Sequence, residues 1–407
     1  MSISSSSTGK GDGGNIELQT RVLNLFNGGY INTSTQGRGN GGDLFVNASD
    51  SVNLKGTSTF VIPNTGETLP TSKLATSAFG AGNSGRLTIN TERLSVRDGE
   101  NISTATSSQL GRGGELTINA KDSVEVVGRL PNGLSSSIST STLGSGDAGE
   151  LRINTHELLL RDGAGVFVNS LGTGNAGIMT INADTINLDN NASLNANTRS
   201  PNKDPNREQA TINLNTQNLT LRHGSSITTN ATGENVFGGN INIHATKFLI
   251  AVENSRISAN SDNSRGGRVV VNAQGVFVGT QPSDVSKYIT ATSGVGLSGT
   301  VEVNSPDNSS IQNSFTELSP NIDTNALIAN SCISRGTKRQ ENSFTITGSG
   351  ALTTNRPGVS VSAYTTGEVR GVETTSRPWK KGNPIIEPQG LYRLNNGQLL
   401  LSRECSN

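Results

Sequence analysis

The sequence predicts an all-β fold: a parallel β-helix, or solenoid, of about ten coils followed by a small C-terminal capping region. Three observations carry this. A motif of the form Gly-Gly-x-Φ-x-Φ-Asn-Ala/Thr (Φ apolar) occurs ten times. Its second residue falls at Gly14, Gly42, Gly85, Gly114, Gly149, Gly177, Ala210, Gly239, Gly267 and Gly299, at intervals of 28, 43, 29, 35, 28, 33, 29, 28 and 32 residues. A period near 28 with occasional insertions is the mark of stacked repeats. Within each copy, short apolar–polar alternations have the period of two that belongs to strands with one buried face. A glycine or asparagine then recurs at one fixed place per copy, where a chain must turn.

The repeat starting at Gly113 shows the elements in order. Leu116 and Ile118 define a first strand, Val124 and Val126 a second, and Ile138 a third after an insertion. The copy at Gly149 repeats them as Leu151/Ile153, Leu158/Leu160 and Val166/Val168. No segment has the 3.6-residue period of a crossover helix, so βαβ units are not expected. Stacked at about 4.8 Å per coil, ten coils predict a rod roughly 45–50 Å long. The turns between the second and third strands are marked by Gly28, Gly99, Gly163, Asn191 and Gly224, each fourteen positions after its reference residue.

Five positions after the reference residue stands a column of Asn47, Asn90, Asn119, Asn154, Asn182, Asn215, His244, Asn272 and Asn304. Stacked amides hydrogen-bond along a stack axis. The column therefore predicts an internal ladder at a corner of the coil, in preference to a row of ligand-binding amides. His244 stands in it as a ladder member rather than a catalyst. Insertions at 55–84 and in VVGRLPNGLSS, TRSPNKDPNREQ and GTQPSDVSKY are rich in Pro, Gly and polar residues and predict surface loops.

The repeats cover residues 1–304 and a different segment covers 305–407. In that tail, Asp323 or Thr324 is placed to cap a short helix containing Ala326, Leu327 and Ile328. Asn395-Asn396-Gly397 predicts a hairpin turn. The tail is expected to cover the open end of the stack. Cys332 and Cys405 both lie there and predict one disulfide, closing a loop of about 70 residues and stabilising by roughly 4 kcal/mol. The alternative is two unpaired thiols. An oxidising, extracytoplasmic setting follows from the disulfide.

Lys+Arg and Asp+Glu both number 32, so no nucleic acid or anionic membrane is expected as main partner. No apolar run is long enough to span a bilayer. The opening MSISSSSTGKGDGG lacks the pattern of a signal peptide, and a repeat begins almost at once. The expectation is a C-terminal piece of a longer polypeptide. No cofactor or metal site is expected. The pattern GGxGxDxU of calcium-binding repeats is absent, and the cysteines and histidines form no ligand grouping.

The repeated GG-x-L-x-I-N-A, the V-x-V-x-x-G/D-G turns and the tail segments SCISRG, SFTITGSGAL and PIIEPQGLYRLNNGQLLL resemble cyanobacterial filamentous haemagglutinin-like exoproteins of the two-partner secretion (type Vb) class. The resemblance covers nearly the whole chain. It implies a right-handed β-helix displayed at, or released from, the cell surface. An adhesive or structural role is implied too, with carbohydrate or cell-surface protein ligands and an outer-membrane transporter for the full-length form. The family's N-terminal secretion domain and signal peptide have no counterpart here, and its shared motifs are structural.

The competing expectation is a β-helical polysaccharide lyase or hydrolase, which needs converging carboxylates. The sequence scatters them. Asp98 and Asp162 mark equivalent turns, Asp50, Asp122 and Asp184 precede second strands, and His156, His223 and His244 fall in unrelated places. No acid–base pair or nucleophile motif stands out, so no enzymatic activity is expected. Tyr30, Tyr288, Tyr392 and Trp379 are too dispersed to make a sugar-stacking platform.

Overall fold

A computed structural model describes residues 2–56, 72–107, 111–130, 132–201, 210–279, 284–306, 371–372, 390–394 and 399–402. The chain divides into two units, Met1–Asn313 and Ser314–Asn407.

The first unit is a parallel β-solenoid. Two ten-stranded sheets are built from strands that alternate along the chain, so each winding gives one strand to each sheet. One sheet holds short strands, such as Asn101–Thr106, Ser137–Thr142 and Gly165–Ser170. The other holds long strands of 11 or 12 residues over most of its width, such as Leu87–Arg97, Leu116–Val127 and Leu151–Arg161. Equivalent residues pair in register: Leu116 with Leu151, Ile118 with Ile153, Val126 with Leu160. In the short sheet Ile102 pairs with Ile138 and Ile138 with Val166.

The three strands per coil expected from the apolar pairs are two in most coils; Ala231–Glu234 and Ser261–Asn263 add a short third strand in two of them. The first and second are one continuous strand. Only Asn119-Ala120-Lys121-Asp122-Ser123 separates Ile118 from Val124, with no glycine or proline to end the pairing. A register shift falls there instead, between Thr155 and Glu157 against the neighbouring strand. Such a one-residue bulge bends a strand without stopping its ladder. Threonine hydroxyls hold the bend: Thr20 Oγ1 donates to the Val22 carbonyl at 3.1 Å and Thr216 Oγ1 to the Asn218 carbonyl at 3.0 Å.

Apolar side chains from both sheets fill the interior. Ile89, Ile118, Ile153 and Ile181 form one fully buried column and Val96, Val126, Leu160 and Leu188 another. Each such side chain contributes roughly 1.5–3 kcal/mol on burial. Two buried threonines are satisfied inside this core: Thr104 Oγ1 donates to the Gly114 carbonyl at 2.7 Å and Thr140 Oγ1 to the Gly149 carbonyl at 2.9 Å.

The reference glycine is explained by contact rather than by a turn. A Cβ on Gly149 would lie 1.9 Å from the Gly114 carbonyl oxygen, and one on Gly114 would lie 1.9 Å from that of Gly85. Backbone packs directly on backbone here, and no side chain fits between. The marked bends are pairs of left-handed residues: Asn27/Gly28, Asp98/Gly99, Asp162/Gly163, Asn190/Asn191 and His223/Gly224. Glu253/Asn254 adds a sixth bend without glycine.

Within the GTQPSDVSKY insertion a four-residue helix, Val285–Tyr288, stands where a loop is expected. Lys287 Nζ donates to Asp284 Oδ1 at 2.8 Å and closes this turn. In the second unit, Gly390–Leu394 pairs antiparallel with Leu399–Ser402, the two arms of the expected hairpin. Gly371–Val372 pairs parallel to the first arm. The turn at 395–397, the helix expected near residues 323–328, Trp379, Cys332 and Cys405 lie outside the described residues.

Because the Gly149 site is closed by backbone, Gly149→Ala should destabilise the solenoid by about 1–3 kcal/mol. Gly11, with nothing within 4 Å of its Cβ direction, is the control, and Gly11→Ala should stay within about 0.5 kcal/mol. Urea midpoints of the two variants check this.

Candidate functional site: the outer face of the long sheet

Alternation along each long strand sends Leu116 and Ile118 inward and Thr117 and Asn119 outward. The asparagine column therefore lies on the outer face, not inside a corner. Its amides form a ladder. Asn90 Nδ2 donates to Asn47 Oδ1 at 2.8 Å, Asn119 to Asn90 at 2.8 Å and Asn154 to Asn119 at 2.7 Å. Asn182 donates to Asn154 and Asn215 to Asn182, both at 2.8 Å. Asn304 donates to Asn272 at 3.0 Å. His244 interrupts the run: it pairs in register between Asn215 and Asn272 but meets no hydrogen-bond partner among the described residues.

Beside the ladder, the bends make the face concave. A groove of about 540 Å³ is lined by Gln19, Asn47, Asn90, Asn119, Thr91 and Lys121. A second of about 420 Å³ continues past Asn119 and Lys121 to Asn154, His156 and Asp184. Each ladder amide uses one N–H and one oxygen site within the column, which leaves further capacity on the same side chain.

Charged residues form the rim as cross-coil pairs. Asp50 binds both Arg21, at 3.0 Å, and Arg93. Arg93 also lies 3.8 Å from Asp122. His156 Nδ1 is 2.7 Å from Asp184 Oδ2. At the bend further along, His223 lies between Asp189 at 2.6 Å and Glu253 at 3.1 Å, while Arg222 holds Glu253 at 2.8 Å. These pairs are exposed, so water and salt screen them. The hydrogen bond from His223 holds the Asp189 carboxyl below its usual range, and that from Arg222 does the same for Glu253. Both stay ionised, which suits pinning of coils and not proton donation. Asp98 and Asp162 serve as turn formers at φ 59°. Among the described residues, no three His, Cys, Asp or Glu side chains gather to hold a metal ion.

The described carboxyl held above its ordinary range is Glu100, and it faces the interior. It is 1% exposed, and neither oxygen meets a hydrogen-bond partner. Burial pushes it from 4.5 up to about 8, only partly offset by the Ser72 amide and hydroxyl, which stand nearby without closing a hydrogen bond, and Asp98 raises it further. It stands among small residues, in register one place before paired short strands, between Ser72 and Ser136.

Sequence reasoning missed a second set of ladders. Asn169, Asn197, Asn230 and Asn260 each accept from the backbone N–H of the next coil: Asn197 at 3.2 Å, and Asn230, Asn260 and Thr292 at 2.8 Å. Each stands six residues after the second left-handed residue of its bend, a spacing visible in the sequence once the bend is the origin. It also missed that Phe248 and Phe277 meet, with ring centroids 5.9 Å apart.

No family model matches the chain. No curated protein and no solved structure matches it either.

Two outcomes follow. Asn119→Ala removes both ladder bonds of one rung and should cost about 1–2 kcal/mol, seen as a lowered urea midpoint. For Glu100, the folded state keeps a proton that the unfolded state releases between pH 4.5 and about 8. Stability should therefore fall across that window as pH rises, by up to roughly 1.4 kcal/mol per pH unit. Glu100→Gln should abolish the decline, so thermal melts at pH 4 and pH 8 should converge relative to the wild type.

Proposed function

We propose that this chain is an adhesive or structural surface protein of the filamentous haemagglutinin-like kind, whose β-helical stem binds uncharged glycans along its outer face. The observation that carries this is the groove walled by a continuous column of amides. Planar amides and hydroxyls spaced one strand apart offer donors and acceptors in repeating order, as a polyhydroxylated chain requires. Further support comes from the bends beyond the groove: His223 and Arg222 hold Asp189 and Glu253 ionised, and among the described residues no three acidic or histidine side chains gather to hold a metal ion. A hydrolase needs one acid held protonated beside its substrate, and Glu100 is shut inside the core.

The same reading has the protein exported to the outside of the cell by way of an outer-membrane transporter. No helix among the described residues is long and apolar enough to cross a membrane.

A glycan array and a cell-binding assay on the purified chain, run beside a polysaccharide-cleavage assay, test the function. Retention of glycans without turnover is expected. Release of reducing or unsaturated ends would replace the adhesin with the β-helical lyase or hydrolase.

A further inference from the structure

Phe248 lies 29 residues before Phe277, and one winding brings them together on the outer face of the long sheet. Their strands, Asn240–Ala251 and Arg268–Val278, are neighbours, with Phe248 in register with Gly275 and Ile250 with Phe277. The rings are tilted at 50°. Phe248 remains 44% exposed. Gly275 makes this meeting possible: a Cβ there would lie 2.8 Å from Phe248 Cδ1 and 3.0 Å from Phe277 Cε2. A glycine inside a strand costs stability and marks close approach; here it forms the floor beneath two aromatic rings.

A second observation falls in the same two strands. The amide ladder breaks at His244, which is exposed. Asn215 donates to Asn182 and Asn272 accepts from Asn304, but neither is joined across His244 among the described residues. An imidazole and the inward-facing halves of two amides are thus left for an outside partner. His244 and Phe248 are four residues apart with the bulge between them, so at most about 13 Å at the rise of a strand. The charge pattern narrows the partner. Between His244 and Ala251 the one charged residue is Lys247, and Asn272–Val278 holds none. A polyanion would find a single cation there; an uncharged ligand is the better complement.

We propose that Phe248 and Phe277, floored by Gly275, form a sugar-stacking platform. His244 and Asn272 take hydroxyls of the same chain, so the site binds a neutral oligosaccharide rather than one sugar. This deepens the glycan-binding function proposed above and rests on it. The chemistry is that of one apolar ring face against aromatic carbon, with hydroxyl edges on planar polar groups.

Titration of the purified chain with short oligomers of β-linked glucose, N-acetylglucosamine and mannose tests the platform. Saturation-transfer NMR reports which sugar protons lie on the rings. Phe248→Ala and Phe277→Ala should each weaken the best ligand about tenfold and remove saturation of its ring C–H protons, with the melting temperature kept. Phe248→Trp should restore both. Wild-type binding with affinity unchanged within about twofold in both alanine variants would overturn the platform and leave the glycan-binding function standing. So would self-association of the wild type that Phe248→Ala abolishes without changing glycan affinity, which would make the face a contact between two copies. Absence of binding to every glycan by the wild type would overturn function and platform together.

Discussion

Backbone stacked directly on backbone is the constraint from which the rest of this solenoid follows. Where the Gly149 α-carbon faces the Gly114 carbonyl, there is no room for even a methyl group. That contact fixes the height of one coil above the next at the strand spacing. Every other column must then obey the same interval. Isoleucine falls on isoleucine, as at Ile118 and Ile153, and asparagine on asparagine, as at Asn119 and Asn154. A ladder of amides is thus a consequence of a ladder of glycines. One insertion is absorbed after a strand end: an antiparallel bridge between Arg129 and Ser135 closes the excursion before the next short strand begins.

Much of this architecture was legible because the repeat carries it twice, in its glycines and in its alternating apolar residues. The pairing of Ile118 with Ile153 needed only counting. What escaped were features with no local punctuation. The bend between Asn119 and Val124 has no glycine, and a bulge leaves no mark in an apolar–polar pattern beyond one extra residue. The amide column was legible as a column, but its side was misjudged: strand alternation puts Asn119 opposite Ile118, hence outside. The Asn169–Asn197–Asn230 ladder stands twenty positions after reference residues 149, 177 and 210, so its spacing was present in the sequence; Asn260, one place later, falls out of step because its bend at Glu253/Asn254 also comes one residue later. The site was less legible than the fold, since Phe248 and Phe277 become neighbours only when the winding is closed.

Charge and chemistry separate cleanly across the coil wall. Outside, carboxylates such as Asp50, Asp189 and Glu253 are neutralised by Arg and His of adjacent coils and stitch windings together. Inside, Glu100, the one carboxyl among the described residues held above its range, is buried from solvent. Between them runs a strip of amides and hydroxyls, edged by Glu92, Lys121 and Asp184, and, further along, two phenyl rings. A surface so arranged offers repeated weak contacts to a repeating partner, which suits retention more than catalysis.

The most direct measurement is a distance along the stack. Glu17 and Asn213 occupy equivalent outward positions, linked through the successive pairs Glu17–Phe45, Phe45–Thr88, Thr88–Thr117, Thr117–Arg152, Arg152–Thr180 and Thr180–Asn213. Six strand spacings put their backbones about 29 Å apart. Spin labels at these two positions, with Cys332 and Cys405 replaced by serine, should give one narrow distance distribution near that value by double electron–electron resonance. A broad distribution, or one centred far from it, would contradict coils stacked in register.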